Sequence, residues 1–254
     1  AHWAGQTKLF DETMLAFKAE VARLGSPTVV TACSSCLSVF TEFASELKTI
    51  SLWEVLDGLK VPDGCSTPAK PLALHDPCTA RDQEGLRNSV RSLCAKAGIE
   101  IVEHELSGDL ADCCGYGGLM QFANGPLGQK AVARKATRSP LDGLAYCAMC
   151  RDNLAAHGRP VAHLLDYLFA TTSQDPLHRT NPGFSRRHEN RARLNSDLLR
   201  ELWQETGVSR PDHTALHLMM RQETEELLNS RLILKEDLQK VISHAESTGR
   251  YLCT

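Results

Sequence analysis

Half of the ten cysteines in this 254-residue chain follow one another in an order that suits a metal or cluster site. A single cysteine, an adjacent pair and a C-x-x-C pair lie within 73 residues: Cys78, Cys113, Cys114, Cys147 and Cys150. Adjacent cysteines rarely bond to each other, because a disulfide would strain the peptide between them. Two neighbouring thiolates can, however, both reach a multi-iron cluster, and soft thiolate ligands favour zinc, copper(I) or iron–sulfur centres. The spacing therefore predicts a metal or cluster site in a reduced compartment, since a chain of this length does not need disulfides for stability.

Composition argues against several classes of function. The chain has 28 Lys and Arg residues against 31 Asp and Glu residues, a formal net charge of -3, so it has no basic footprint for nucleic acid. No apolar run approaches the ~20 residues that a membrane span needs, and no signal peptide is visible at Ala1. A hydrophobic share of 42% is enough for the core of one large domain or two smaller ones. We expect a cytoplasmic protein, which could associate with a membrane through a complex.

Short apolar runs alternate with helical patterns through the first part of the chain. Strands are predicted over residues 28–32, 72–74, 99–103 and 143–146, and helices over 9–24, 37–47, 86–97, 131–136 and 151–157. This alternation predicts an α/β fold with a mainly parallel sheet. Functional sites in such sheets lie at the carboxyl ends of the strands, where Cys33, Cys78 and Cys147 fall.

A second C-x-x-C pair, Cys33 and Cys36, indicates an internal repeat. It precedes Cys147 and Cys150 by 114 residues, and a similar apolar segment follows each pair. Counterparts of the other three cysteines would lie before Ala1, so we infer that the chain begins partway through a first module. Cys33 and Cys36 are then either ligands completed by a preceding segment or unused thiols.

The expected organisation is two related βαβ-type cysteine-rich modules, the first incomplete, followed by a helical tail. Residues 1–64 would be the end of the first module, 65–170 the complete second module, 171–193 a linker with a basic run, and 194–254 the tail. The basic run contains Arg186, Arg187, Arg191 and Arg193, and such runs are usually solvated. Helices are predicted over 194–205, 212–229 and 235–247, with Asp212 as an N-cap and Gly249 as a stop.

The second module resembles the cysteine-rich CCG domain family, which includes the B subunit of heterodisulfide reductase and the iron–sulfur subunits of glycolate oxidase and lactate utilisation. The resemblance rests on the spacing of the cysteines. A gap of 34 residues separates Cys78 from the segment Cys113-Cys114-Gly-x-Gly-Gly, and a gap of 32 residues separates Cys114 from the segment Cys147-x-x-Cys150. The phrase His75-Asp-Pro-Cys78 also resembles the opening of the family's module. The likeness covers residues 72–168, and residues 29–59 as the end of a preceding copy. The gap before the C-x-x-C pair is slightly short for the family.

The resemblance implies an oxidoreductase of heterodisulfide reductase type. In that type, five cysteines hold a non-cubane [4Fe-4S] cluster that transfers electrons to a thiol or disulfide substrate, which assigns the five cysteines named above as ligands here. The resemblance extends to a second cluster only if a preceding segment completes the ligands Cys33 and Cys36, which are otherwise unused thiols. It also implies an electron-donor partner that carries a flavin (FAD) or iron–sulfur centre. The tail resembles that of large fusions with a flavin-binding reductase, so the chain is expected to be the C-terminal part of a larger oxidoreductase.

Three glycines and a histidine complete the expected site. Gly115, Gly117 and Gly118 would let backbone N–H groups approach the sulfides of a cluster, although such a turn can also simply begin a helix. His75 would lie behind the ligands or gate the site, but a structural histidine at a strand end is an equal alternative.

Other functions remain open from the sequence. The chain could be a non-catalytic electron relay or docking subunit of a flavin-dependent dehydrogenase, with an ordinary cluster or zinc. It could also be a zinc-only structural protein or a redox dithiol. Cys65, Cys94 and Cys253 are interpreted as ordinary cysteines, and His163 and Asp166 as packing and capping residues.

Overall fold

The chain has an α/β structure in which parallel strands alternate with helices. The structure, a computed structural model, describes residues 2–170, 175–205 and 212–250. It divides into two compact units, Ala1–Arg179 and Thr180–Thr254. The α/β class predicted from the alternating pattern is confirmed.

The first sheet of unit Ala1–Arg179 has two parallel strands. β1 (Val29–Thr31) pairs with β2 (Thr49–Ser51), with Val29 opposite Thr49. The helices around it are α1 (Thr7–Arg23), α2 (Ser34–Phe43) and α3 (Leu52–Asp57). The sequence patterns predict β1, α1 and α2, whereas β2 contains a single apolar residue, Ile50, and gives no apolar run.

The second sheet has four parallel strands in the order β4-β3-β5-β6. They are β3 (Leu72–His75), β4 (Ile101–Val102), β5 (Gly143–Ala145) and β6 (Val161–His163). The accompanying helices are α4 (Glu84–Lys96), α5 (Met120–Ala123), α6 (Gly125–Ala136), α7 (Ala148–Ala156) and α8 (Leu164–Leu168). Parallel strands need crossover connections, which the helices supply. Every residue of the central strands β3 and β5 is buried.

The main core joins the two sheets. Trp53 of α3 is fully buried and meets the ring of Tyr146 edge-on, with the ring centroids 5.6 Å apart. Around this pair pack apolar side chains from the second sheet and its helices, among them Leu72, Leu74, Val90, Leu93, Leu144 and Leu164. The strands that lead to the cysteines are therefore held on a common apolar core.

The same local structure occurs twice in this unit. The order β1-α2-β2-α3 matches the order β5-α7-β6-α8, and each strand–helix junction carries a C-x-x-C pair. Cys33 caps α2 with φ −116° and ψ 124°, and Cys147 caps α7 with φ −122° and ψ 120°. This similarity supports the predicted repeat, while the boundaries 1–64 and 65–170 stay predictions.

Unit Thr180–Thr254 is helical over its described residues. It contains α9 (Gly183–Leu202), a 3₁₀ turn (Asp212–Ala215), α10 (Gln222–Ser230) and α11 (Lys235–Thr248). Gly249 ends α11 with φ +65°, as predicted for a helix stop. No helix among the described ranges is long and apolar enough to cross a membrane.

Two predictions for the tail are wrong. The basic run was assigned to a linker over residues 171–193, but residues 183–193 belong to α9, because arginine favours helices as well as leucine does. The helix predicted over 212–229 is interrupted, and Asp212 lies in a 3₁₀ turn instead of capping a helix. The side chain of Gln239 donates hydrogen bonds to the carbonyls of Thr214 and Leu216 at 3.3 and 2.7 Å, which holds this segment in its irregular conformation. Residues 171–174 of the predicted linker lie outside the described residues.

Candidate cysteine site

Three chain segments bring the five predicted cysteines to one edge of the second sheet. Cys78 follows β3 and begins a 3₁₀ turn, while Cys147 follows β5 and caps α7, whose first turn contains Cys150. Since β3 and β5 are adjacent and parallel, their carboxyl ends lie side by side. Cys113 and Cys114 come from the loop that precedes α5.

The five thiols contact one another in series. The Cys150 Sγ donates to the Cys114 Sγ at 3.2 Å. Cys113 lies in hydrogen-bonding contact with both Cys78 and Cys114, and Cys150 also contacts Cys147. All the cysteines that the structure describes are free thiols. The structure thus brings together the whole set that the sequence predicts.

The thiols are not arranged around one point. Among the residues that the structure describes, no group of three or more His, Cys, Asp or Glu side chains is disposed to hold a single metal ion. A tetrahedral zinc site needs four ligands that converge on the metal. The assignment of the five thiols as ligands therefore stays a prediction.

Hydrogen bonding concentrates negative charge on Cys113. Its sulfur accepts from Cys114 and Cys78, and the N–H of Gly115 lies 3.2 Å from it. These bonds, with the charge of Lys135, outweigh burial and hold the pKa of Cys113 far below its usual range. The pKa of Cys78 is raised because its thiol donates to Cys113.

The N-terminus of α7 acts in the same way on Cys147. The hydrogen bond from Cys150 and the N–H groups of Cys150 and Met149 outweigh burial and lower the pKa of Cys147 to about 7. Cys150 is itself buried, and its bonds to Cys114 and Cys147 raise its pKa. Two thiols of the set, Cys113 and Cys147, are therefore the easiest to deprotonate, and a bound metal needs its cysteines as thiolates.

The second C-x-x-C pair lies beside this set. The hydroxyl groups of Ser34 and Ser35 lie 2.6 and 3.2 Å from the Thr79 hydroxyl, which docks the start of α2 against the turn that begins at Cys78. The hydrogen bond from Cys36, against the effect of burial, lowers the pKa of Cys33 to about 5. Negative charge on Cys33 in turn acts to raise the pKa of Cys147. Cys33 and Cys36 are exposed, and their role as ligands stays a prediction.

The three predicted glycines differ in their surroundings. Gly115 has φ +81°, and a Cβ there would lie 2.3 Å from the carbonyl oxygen of Gly128 in α6. A Cβ at Gly117 or Gly118 would meet open space, although Gly118 also has a positive φ of +63°. Only Gly115 combines close packing with a hydrogen bond to a cysteine sulfur.

His75 lies inside the sheet. Its side chain is 1% exposed, and neither ring nitrogen has a hydrogen-bond partner within the described residues. The ring packs against Gly143 of the neighbouring strand and 5.3 Å from the ring of His104, measured between centroids. Burial lowers the pKa of His75 to about 3. The ring is therefore neutral at physiological pH, and its predicted role beside a cofactor is untested.

A buried acid, Asp76, connects two of the cysteine segments, a role that the sequence does not predict. The Asp76 carboxylate accepts from the Tyr146 hydroxyl at 2.6 Å, from Arg91 at 2.8 Å and from the Gly108 N–H at 2.7 Å. Burial raises the pKa of Asp76, but these bonds outweigh it and lower that pKa overall. Asp76 stands two residues before Cys78, and Tyr146 immediately precedes Cys147.

The remaining singled-out residues have structural surroundings. Cys94 is buried in the core on α4, and burial raises its pKa to about 12, while Cys65 is half-buried. The side chain of His163 accepts from the backbone of α8, which confirms its predicted capping role. Asp166 pairs with Arg179 at 3.1 Å. Cys253 lies outside the described residues.

Comparison with known proteins points to one family. Residues 72–143 match the family model of the CCG cysteine-rich domain. The matched segment contains Cys78, Cys113 and Cys114 and ends at the start of β5, so Cys147 and Cys150 follow it. No curated protein matches the chain.

Proposed function

We propose that this chain, which carries a CCG cysteine-rich domain over residues 72–143, is the iron–sulfur subunit or domain of an oxidoreductase of heterodisulfide reductase type. The coarser part of this statement, an iron–sulfur or other metal-binding role in electron transfer, follows from the domain. The finer part rests on one observation, the contact of five free thiols in series at one sheet edge.

The residues present fit a multi-iron group. Five sulfur donors exceed the four that one tetrahedral metal accepts, and cysteine thiolates are the ligands that iron–sulfur clusters use. The ligands would be Cys78, Cys113, Cys114, Cys147 and Cys150. The contact between Cys33 and Cys36 makes them candidates for a second such group.

The chain's own residues define the environment of the site. A bound non-cubane [4Fe-4S] cluster would supply electrons one at a time for the two-electron reduction of a disulfide substrate to thiols. The Gly115 N–H donates to a ligand sulfur, and hydrogen bonds of this kind raise the reduction potential of a cluster. Cys33 and Cys36, which lie beside the site, are exposed, and we assign the approach of a small disulfide to their side.

Electrons would come from a partner. A flavin- or iron–sulfur-containing subunit or domain, with FAD as its cofactor in the first case, would donate to the cysteine site. The helical unit Thr180–Thr254 is the part of the chain that we assign to docking of such a donor.

Metal analysis of the anaerobically purified protein tests the proposal. We expect iron and acid-labile sulfide, with an EPR signal on one-electron oxidation or reduction. The Cys114→Ser variant should lose iron and change the signal, while Cys65→Ser, a half-buried cysteine outside the series, should match the unaltered protein. A colourless zinc protein, or unchanged iron in Cys114→Ser, would contradict the ligand assignment.

Activity separates the enzyme from a relay. With an artificial electron donor, the proposed oxidoreductase should reduce a small disulfide. Iron binding without this turnover would indicate a non-catalytic electron relay in place of a disulfide reductase.

A further inference from the structure

One lysine lies entirely inside the protein beneath the cysteine site. Lys135, in the last turn of α6, has no solvent-exposed surface, although lysine is almost never fully buried unless it is paired. Its ammonium group donates to the carbonyl oxygens of Asp76 at 2.9 Å and Asp112 at 2.7 Å. Burial of a charged group is unfavourable, so the interactions of the ammonium group must compensate for its desolvation.

The two carbonyls belong to the segments that deliver cysteines. Asp76 stands two residues before Cys78, and Asp112 immediately precedes Cys113. These segments are distant in sequence, and their thiols contact each other. The Lys135 ammonium therefore links the backbones behind two contacting cysteines.

The surroundings of Lys135 carry an excess of positive charge. Ion pairs no longer than 3.7 Å connect four cations with three carboxylates: Arg91, Arg134, Lys135 and Arg138 with Asp76, Glu103 and Asp112. The carbonyls that Lys135 binds lie two residues before Cys78 and one residue before Cys113, so its charge stands close to the segments that carry these sulfurs. Anionic sulfur at the site would balance the excess.

We infer that Lys135 is a positioning residue of the cysteine site, which ties the Cys78 and Cys113 segments together and supplies a fixed positive charge to the sulfurs that they carry. The positioning role needs only the protein. The effect of the charge on a cluster rests on the proposed function.

Hydrogen exchange on the metal-free chain tests the positioning role. Lys135→Met keeps the length of the side chain but removes the charge and the donors. We expect backbone amides in peptides covering residues 72–80 and 108–116 to exchange roughly tenfold faster or more, because two charge-assisted hydrogen bonds are lost. Arg134→Met is the matched control, since Arg134 is the neighbouring cation but is 64% exposed. Equal exchange in Lys135→Met and the unaltered protein would overturn the positioning role.

A second variant keeps the test decisive. If Lys135→Met does not fold, Lys135→Gln retains amide donors without the charge and takes its place in the same comparison. Circular dichroism identifies the folded variants.

The reduction midpoint potential tests the role of the charge. A nearby cation favours the reduced, more negative form of a cluster, so the Met and Gln variants should have lower potentials. We expect a tenfold change in the ratio of oxidised to reduced cluster, which is about 59 mV for one electron. An unchanged potential would overturn the role of the charge. If the unaltered protein takes up no iron, the proposed function fails, while the exchange experiment still decides the positioning role.

Discussion

At the scale of single residues, Gly115 determines how closely the loop after Cys114 can approach α6. Its φ of +81° is a conformation that L-residues with a Cβ adopt only at a cost of about 1–2 kcal/mol. A Cβ would also meet backbone atoms, the Gly128 oxygen at 2.3 Å and the Val132 nitrogen at 3.3 Å. Backbone atoms cannot move aside as a flexible side chain can.

We therefore expect Gly115→Ala to lower the free energy of unfolding by more than about 2 kcal/mol. The cysteine site of this variant should also bind less iron, since the loop carries Cys113 and Cys114. Gly117→Ala is the matched control: a Cβ there meets open space, so its effect should stay within about 0.5 kcal/mol. Urea unfolding of the metal-free variants gives both values. Equal stability of the two variants would contradict the packing argument.

At this scale the sequence predicted which cysteines come together better than it predicted the residues that connect their segments. The spacing of five cysteines was sufficient to identify the set, while its role as a ligand set stays a prediction. The connecting roles of Asp76, Tyr146 and Lys135 could not be identified, because polar and charged residues are usually on the surface. Their burial results from packing between strands and helices that are distant in sequence.

At the scale of elements, the start of α3 depends on a single hydroxyl. Ser51 is fully buried at the end of β2, and its Oγ accepts from the Trp53 N–H at 3.2 Å. The Glu54 side chain accepts from the Ser51 N–H at 3.1 Å, which completes a capping box. This cap positions Trp53, the largest side chain of the core.

We expect Ser51→Ala to cost about 1 kcal/mol of stability, because one helix N–H loses its acceptor. Thr13→Ala, which removes an exposed hydroxyl within α1, serves as the control and should change stability by less than about 0.5 kcal/mol. The midpoints of urea unfolding measure the difference. A Ser51→Ala midpoint equal to that of the control would show that the cap contributes nothing.

The success of prediction for the helices depended on their length. Helices such as α1 and α4 were predicted within a few residues, because several turns give a clear apolar period. The three-residue strands β2 and β6 were missed, whereas the equally short β1 was predicted because it lies in a longer β-branched run over residues 28–32. The start of α9 was placed too late, because its first turns are polar on most sides and show no apolar stripe.

At the scale of the whole molecule, folding buries histidines as neutral groups. Burial lowers the pKa of His75 to about 3 and that of His163 to about 4. The unfolded chain has ordinary histidine values near 6.5. Between these values the unfolded state binds protons that the folded state cannot bind, so stability rises with pH. The contribution is complete above pH 6.5 and is lost as the pH falls toward the folded-state values.

The contribution of Asp76 to stability also rises with pH, but it does so over a lower pH range. Its pKa is lowered in the folded state despite burial, because Arg91, Tyr146 and Gly108 stabilise the carboxylate. Its contribution is present above the ordinary aspartate pKa and is lost only in stronger acid. Histidine titration therefore contributes in the mildly acidic range, where the thiols of Cys33 and Cys113, whose pKa values are also lowered on folding, contribute with the same sign.

We predict that the free energy of unfolding of the metal-free protein falls steadily as the pH is lowered from 6.5 to 4. Near pH 5, where the unfolded histidines are protonated and the folded ones are not, each of the two should contribute up to about 1.4 kcal/mol per pH unit. His75→Gln should reduce the slope there by one such contribution, whatever it does to stability at neutral pH, whereas Thr13→Ala, which removes an exposed uncharged hydroxyl, should leave the slope as it is. Urea titrations at half-unit pH intervals measure these slopes. A slope in His75→Gln equal to that of the unaltered protein would mean that His75 takes up a proton without unfolding, and that the packing of its ring against Gly143 does not keep it neutral.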